Sequence, residues 1–284
     1  MRRLIAAMLF FLPMIVAAQA PLKAFRATSD VAMRIWLPAG TVKVEVWDRD
    51  SIEVHGKVGR GAHLYAGGSG PSAKVGIDWD DHANTAIPHG DLVVTVPRKA
   101  RVWVKMTDGD VVAVGTEGEL DVITVTGSIA VREARGVVSV ETIDANVTLL
   151  RVAGEMRLRS GSGQVMLMDV HGPLTATAVG GLVWLEGKQL QDARIETISG
   201  RITVAGTLLP RALIELESHS GTIGLSLVPG TVPALALKSR TGTVWNRIGS
   251  GNPAFGRITA NSFKGDINVP AGGGIEAGKA HTPP

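Results

Sequence analysis

A glycine-centred unit recurs along residues 102–269 and constrains the fold more than any other feature of the chain. The unit is Gly-x-(Val/Ile), and we call the glycine position the slot. From residue 109 to residue 181 the slots are spaced by 18 residues, and later spacings are 19, 21, 21 and 23 residues. A constant period that lengthens by small insertions is typical of stacked turns with growing loops. The slots are Gly109, Gly127, Ala145, Gly163, Gly181, Gly200, Gly221, Gly242 and Gly265.

The residues around each slot alternate between apolar and other side chains. Every residue two positions after the slot is β-branched, and in the column four positions after it Asn246 alone breaks the apolar pattern. The positions seven and five residues before the slot are apolar again, beginning with Val102 and Val104. Alternation with period two on both sides of a turn predicts two half-buried strands in each repeat. The β-branched set is Val111, Ile129, Val147, Val165, Val183, Ile202, Ile223, Val244 and Ile267.

The repeat predicts an all-β fold, a parallel β-solenoid of about nine turns with an N-terminal β cap. An antiparallel sandwich is the alternative, but it predicts Asn-Gly or Asp-Gly hairpin turns rather than one column-wise repeat. If successive turns stack at about 4.8 Å, Arg194 lies beside Glu215 and Glu217 lies beside Lys238. Both pairs join opposite charges, as neighbouring strands prefer.

The corner between the two strands of a repeat has its own pattern. Three residues before the slot, seven of the nine side chains carry a hydroxyl, which suits a corner where side chains hydrogen-bond the turn backbone. The slot glycine is expected to supply a positive φ or a closely packed corner. A second glycine column at Gly118, Gly136, Gly154 and Gly172 marks an opposite bend.

The ends of the chain differ from the repeats. Residues 1–18 are typical of a signal peptide, with Arg2 and Arg3 before an apolar run and a cut expected after Ala18. An uncleaved N-terminal anchor is the alternative. The chain has 0 cysteines, so burial and backbone pairing must stabilise it without disulfides. We predict an N-terminal β cap region at 19–100, the repeats at 101–269 and a disordered tail at 270–284, with no stable membrane span after signal cleavage.

Several of these segments resemble a known family, the bacterial putative-adhesin family with β-strand repeats, a domain of unknown function. The likeness covers about residues 30–269. It implies an extracytoplasmic β-solenoid and brings no catalytic residues with it. The segments that carry it are Gly40-Thr41-Val42-Lys43-Val44 with Trp47-Asp48, Leu92-Val93-Val94-Thr95-Val96-Pro97, and the units at 124–127, 197–200 and 239–242.

A search for catalytic chemistry finds no supported constellation, so we predict no enzyme, no cofactor and no metal site. The densest acidic group is Asp78-Trp79-Asp80-Asp81-His82, whose spacing matches no metal loop, and a solvated strand end is the favoured interpretation. The histidines show no ligand spacing, and His219 in the corner column is expected at the surface.

One outward column does suggest a contact surface. Met166 and Trp184 stand three residues after adjacent slots, and Leu182 shares their face. Exposed apolar patches with tryptophan are typical of binding surfaces, so these three residues are the predicted binding site. The alternative is that the cap, a loop or the tail covers this face.

The predicted function is that of an exported envelope protein in the periplasm or on the outer cell surface, acting as a non-enzymatic binding or structural, adhesin-like module. Its partner would be an envelope protein or a glycan. Nucleic acid is not expected, because removal of Arg2 and Arg3 leaves 27 basic against 26 acidic residues. The alternatives are a self-assembling scaffold and a carbohydrate-active β-helix enzyme.

Overall fold

The computed structural model describes residues 20–79 and 87–271, and these residues form an all-β fold without helix. The strands belong to one long, mostly parallel sheet that does not close on itself. The strands are β1 (Lys23–Arg26), β2 (Ala32–Trp47), β3 (Ser51–Val58), β4 (Ala62–Ser69), β5 (Ser72–Trp79), β6 (His89–Pro97), β7 (Arg101–Val114), β8 (Glu119–Arg132), β9 (Arg135–Leu150), β10 (Ala153–Ser162), β11 (Gln164–Met168), β12 (Leu174–Ala178), β13 (Leu182–Leu190), β14 (Ala193–Thr197), β15 (Arg201–Leu208), β16 (Leu213–Ser218), β17 (Ile223–Leu227), β18 (Pro233–Ser239), β19 (Val244–Asn246), β20 (Asn252–Ser262) and β21 (Ile267–Val269).

The predicted repeat sets the register of this sheet. Each repeat contributes one strand segment before its slot and one after it, and we call the two segments a layer. In β7 and β8 the slots Gly109 and Gly127 pair directly, and Val111 pairs with Ile129. The same parallel pairing, in which each residue lies opposite the equivalent residue of the next repeat, continues from β8 to β17. The all-β prediction is confirmed, and the long parallel sheet is compatible with the predicted solenoid.

The alternating columns form the core. Val111, Ile129, Val147 and Val165 are each at most 2% exposed, and the residues between them face outward. Because every layer presents the same inward column, each β-branched side chain packs between similar neighbours above and below. Burying such a side chain contributes about 1.5–3 kcal/mol relative to leaving it in water.

The corners behave as predicted. Gly127 has φ +112°, and a Cβ there would lie 2.0 Å from the carbonyl oxygen of Gly109, so the glycine supplies both the left-handed backbone and the close approach. Six of the seven hydroxyls in the column hydrogen-bond the turn backbone, and Thr142 Oγ1 has no hydrogen-bond partner among the described residues. Thr124 Oγ1 donates to the carbonyl oxygen of Thr126 at 2.9 Å, and the amide of Gly265 donates to Ser262 Oγ at 2.8 Å.

At the C-terminal end the layers do not follow the order of the chain. Arg194 pairs with Glu215 as predicted, with 3.4 Å between Nη1 and Oε2. The prediction that Glu217 lies beside Lys238 is wrong, because β20 lies between β16 and β18 and Glu217 pairs with Asn261. The layer formed by β18 and β19 is therefore the last in the sheet, although β20 and β21 follow it in the sequence.

A similar exchange occurs near the N-terminus. Gly40 of β2 pairs with Gly109 of β7 and also with Gly90 of β6, so β2 lies between two parallel neighbours. The parallel pairing thus continues across the predicted boundary between residues 100 and 101. The regular slot spacing is not visible in this part of the sequence, because other residues separate the strands that form these layers. The β3–β4 segment lies between β2 and β5, and a further segment that includes residues 80–86 lies between β5 and β6.

The cap itself is antiparallel. β3 pairs with β6, β1 pairs with β3, and β4 pairs with β5. The strands β3 and β4 cover β6 and β5, which form the first layer and whose Val94 and Val75 are at most 1% exposed. Strand edges left open invite association with other chains, and here the edges of β5 and β6 are paired.

The predicted signal peptide lies outside the described residues, as does the tail from residue 272 onward. The described residues contain no helix with the length and hydropathy needed to cross a membrane.

Candidate functional site

The predicted binding residues lie together on the outer side of β11 and β13, and we call Met166, Leu182 and Trp184 the Trp184 face. Met166 pairs directly with Trp184 across the two strands, and Leu182 precedes Trp184 by two residues on the same side. All three are half-buried. The indole Nε1 of Trp184 donates a hydrogen bond to Glu186 Oε2 at 3.0 Å, which fixes one edge of the ring. The arrangement presents apolar surface to solvent on a rigid sheet.

The apolar surface continues into the preceding layer, where Leu150 pairs with Met168 and both side chains are half-buried. Beyond Leu150 the same column holds the exposed Arg132, which separates it from Val114. β13 packs along the sheet between β11 and β15, while the cap strands pair with β5 and β6 at the far end. The cap therefore does not cover the Trp184 face.

A second aromatic surface, which the sequence pattern did not reveal, lies on the outer side of β2, β5 and β7. Trp36 and Trp79 stack with ring centroids 6.0 Å apart and planes 17° apart. Trp103 lies one layer from Trp36 and half-buried, and Tyr65 on β4 is 41% exposed. The sequence does contain a signal for this surface. Gly40-x-Val42 matches the repeat unit, so it marks a further layer in which Trp36 occupies an outward position before the slot.

Gly76 makes room for this cluster. Gly76 pairs with Trp36 on one side and with Tyr65 on the other, and a Cβ at Gly76 would lie 2.2 Å from the Tyr65 hydroxyl oxygen. The tyrosine ring therefore lies directly over the strand. Burial raises the pKa of Tyr65, and the nearby charge of Asp78 raises it further.

Basic side chains alternate with the rings on this surface. Arg34 pairs with Lys74 on one side and with Trp103 on the other, and Lys105 pairs with Trp36. All three cations are exposed, and none of them makes a salt bridge with another residue of the described ranges. We call Trp36, Tyr65 and Trp103 with Arg34, Lys74 and Lys105 the Trp36 face.

A third feature lies along one corner near the C-terminal end. His219 stacks on Phe263 with ring centroids 5.0 Å apart, and the guanidinium of Arg240 lies 5.0 Å from the centroid of the Phe263 ring. Together with Ile198 and Glu217, these residues line an open depression of about 640 Å³. His219 is at the surface as predicted, but its ring partner Phe263 belongs to the layer that the sequence order did not place beside it.

The C-terminal end of the sheet is open where the N-terminal end is sealed. Leu235 and Leu237 of β18 are half-buried, whereas their counterparts Ile258 and Ala260 in the next layer are fully buried. On β19, Val244 is 38% exposed and Trp245 is 50% exposed. In the part of the chain that the structure describes, β18 and β19 each pair on one side only.

Charged residues elsewhere form ion pairs and two small clusters, around Arg194 with its three glutamates and around Arg98 with Asp48 and Glu117. Among the described residues, no group of three His, Asp or Glu side chains is placed to hold a metal ion. Of the acidic run at 78–82, Asp80, Asp81 and His82 lie outside the described residues.

Asp48 and Arg98 form an exposed ion pair at 2.9 Å, which lowers the pKa of the Asp48 carboxyl through the hydrogen bond and the charge of Arg98.

Comparison with known proteins adds little to this geometry. No family model and no curated protein matches the chain. A putative adhesin from Bacteroides fragilis is similar in structure at 11% identity and a TM-score of 0.37, covering 87% of this chain and 94% of its own. A putative cell adhesion protein from Clostridium sporogenes is similar at 9% identity and a TM-score of 0.24, covering 87% and 97%. At these identities and TM-scores, neither match contributes to the argument about function.

Proposed function

We propose that this chain is an exported bacterial envelope protein, a β-solenoid that acts as a non-enzymatic, adhesin-like binding module. The observation that carries the proposal is the Trp184 face. Met166, Leu182 and Trp184 expose apolar surface on rigid strands, and the hydrogen bond from Trp184 to Glu186 holds the indole in place. A fixed, partly exposed tryptophan contributes little to folding and much to an interface.

The test separates binding from stability. The purified protein and its Trp184→Ala variant are immobilised and exposed to solubilised envelope extract, and the retained molecules and both melting temperatures are measured. We expect Trp184→Ala to lose retention of the partner, since truncating a central interface residue costs about 2 kcal/mol or more of binding. Its melting temperature should fall by only a few degrees, because the side chain is half-buried.

Trp245→Ala is the matched control, because Trp245 is an exposed tryptophan in the same outward column. It lies four layers from Trp184 rather than the three that the chain order predicts, since β21 intervenes. Equal loss of retention in both variants, or a large fall in the melting temperature of Trp184→Ala, would reject the Trp184 face as the binding surface.

A second candidate function, self-association into a scaffold, is favoured by the open C-terminal end. One open end and one capped end allow a closed pair of molecules, with the last layers facing each other, but not an open filament. The occupant would be a second copy, because the last layer of each molecule presents the same half-buried Leu235 and Leu237, so two such layers face each other with matching apolar surfaces.

Sedimentation velocity tests this candidate. The wild-type protein should form dimers as its concentration rises, and Leu237→Lys should remain monomeric, because the lysine would place a charge in the middle of the shared surface. A monomeric wild-type protein at all concentrations rejects the candidate. A dimer that Leu237→Lys leaves intact shows that another surface is responsible.

A further inference from the structure

We propose that the Trp36 face is a second binding site, distinct from the Trp184 face, and that it recognises an acidic polysaccharide through uronic acid carboxylates. The site lies on the outer side of the first three layers, and Trp184 lies on a different strand segment several layers away. Binding at the Trp36 face is therefore independent of the function proposed above.

The side chains of the Trp36 face alternate in kind. Arg34 and Trp36 are two residues apart on β2, and each has a neighbour of the other kind on β7: Arg34 lies beside Trp103, and Trp36 lies beside Lys105. Between β2 and β7, which lie about 4.8 Å apart, ring and cation thus alternate both along and across the strands, and Lys74 adds a second cation beside Arg34 on β5. A sugar ring offers an apolar face to an aromatic side chain, and its carboxylate offers a partner to a cation.

The charge of this surface points to an anionic ligand. Arg34, Lys74 and Lys105 are exposed and carry no internal counter-ion in the described ranges, whereas Arg157 and Arg194 on later layers pair with glutamates. The guanidinium of Arg34 suits a planar carboxylate, which it can engage through two parallel hydrogen bonds. Three cations without a salt bridge to any described residue, placed among two half-buried tryptophans and the exposed Tyr65, therefore favour a ligand that carries carboxylates.

The backbone beneath the Trp36 face is already fully paired. Both edges of β2 are paired, with β5 and β7, and both edges of β5 are paired, with β2 and β4. A peptide cannot add a strand here, so recognition must use side chains on a flat face. Asp78 on β5 and Asp121 on β8 border the basic patch on either side, so it is compact rather than the extended basic track that a nucleic acid backbone requires.

Isothermal titration with four probes tests the proposal: polygalacturonate, its methyl ester, polyphosphate and single-stranded oligo-dT. We expect polygalacturonate to bind, and the methyl ester to bind at least about tenfold more weakly because it lacks the charge. Polyphosphate should also bind at least about tenfold more weakly, because it has charge without rings. Equal or tighter binding of polyphosphate or oligo-dT, or no binding of polygalacturonate, overturns the proposal.

Variants locate the site. Arg34→Gln and Lys105→Gln change exposed side chains, so folding is preserved, and each should weaken polygalacturonate binding about tenfold. Trp103→Ala should do the same, with its melting temperature measured alongside. Arg159→Gln is the matched control, since it removes an exposed cation from the same side of a later layer.

The outcomes separate this site from the Trp184 face. Loss of binding in Arg34→Gln and Lys105→Gln with no change in Arg159→Gln supports the site. An equal loss in Arg159→Gln shows a general charge effect and overturns it. Loss in Trp184→Ala with none in Arg34→Gln overturns the Trp36 face as the site while leaving the function proposed for the Trp184 face intact.

Discussion

Glu217 on β16 pairs with Asn261 on β20, and Asn261 pairs in turn with Lys238 on β18. The strands β20 and β21, the last two that the structure describes, are therefore inserted between two earlier layers. The side chain that explains this order is Asn246, which interrupts the apolar column. In the last layer it is exposed, and its Nδ2 donates to the carbonyl oxygen of Gly249 at 2.7 Å. In the middle of the sheet the same amide would be buried between apolar neighbours, at a cost of about 1–3 kcal/mol.

The inserted order predicts which engineered cysteines cross-link. The protein has 0 cysteines, so the pair Glu217→Cys with Asn261→Cys introduces the only thiols. Neighbouring strands lie about 4.8 Å apart, within the Cα separation that a disulfide accepts. We expect this pair to form a disulfide readily under mild oxidation, measured by a mobility shift on non-reducing gels.

The control for this experiment is the pair Glu217→Cys with Lys238→Cys. These positions are two layers apart, about 9.6 Å, which exceeds the range of a disulfide. Faster cross-linking of this second pair would mean that the layers follow the order of the chain.

The inward register predicts a large difference between two aspartate substitutions in adjacent layers. Val165 is 2% exposed between Val147 and Val183, so Val165→Asp buries a charge with no partner and should cost roughly 4 kcal/mol or prevent folding. Thr148 is on the outer side, and Thr148→Asp should change stability by less than about 1 kcal/mol. Denaturant unfolding measures both, and equal midpoints would contradict the register.

The slot glycines predict a backbone effect with an internal control. Gly127→Ala adds a Cβ 2.0 Å from the carbonyl oxygen of Gly109 at a φ of +112°, so it should destabilise the protein by about 2–3 kcal/mol. A Cβ at Gly224 would lie 3.8 Å from its nearest neighbour, Thr203 Oγ1, and Gly224 has no left-handed φ. Gly224→Ala should therefore be neutral within about 0.5 kcal/mol. Thermal unfolding compares the two, and similar losses would show that the corners are not closely packed.

Asp121 predicts a pH-dependent stability difference. Partial burial raises the pKa of its carboxyl above the ordinary 3.8, and the charges of Glu119 and Glu141 add to this effect. Ionisation is therefore harder in the folded state, so stability decreases as the pH rises from the unfolded pKa through the folded one. Asp121→Asn removes this loss and should raise the melting temperature at pH 7 by about 1–2 °C, a small gain because the side chain is half-exposed.

Well below pH 3.8 the difference between wild type and Asp121→Asn should vanish, because the carboxyl of Asp121 is then neutral in both the folded and the unfolded state. Asp30→Asn, at an exposed turn, controls for the loss of one negative charge. A melting-temperature difference for Asp121→Asn that is the same at pH 3 and pH 7 would contradict the prediction.

Much of the local structure was predictable because each repeat contains its own apolar alternation, corner hydroxyl and slot residue. The columns around Val111 and Val165 predicted the strands, their inward sides and the parallel register, since period two determines which side of a strand is apolar. The hydroxyl column, including Thr124 and Ser262, predicted the corner hydrogen bonds. The Trp184 face was located as well, since Met166 and Trp184 occupy one column of adjacent repeats.

The sequence by itself thus determined the contents of each layer, but the tertiary structure decided the order of the layers at both ends. Every layer presents the same inward column, so exchanging two of them conserves nearly all of the buried apolar area, and the pattern cannot distinguish one order from another. Differences outside the pattern decide it: Asn246 is exposed in the layer at the open end, and the antiparallel strands β3 and β4 pair with β6 and β5 at the other end. The contact of His219 with Phe263 arises from the exchange at the C-terminal end and required the folded chain. For the Trp36 face, the unit Gly40-x-Val42 marks the outward column in the sequence, and only the pairing of β2 with β7 required the folded chain.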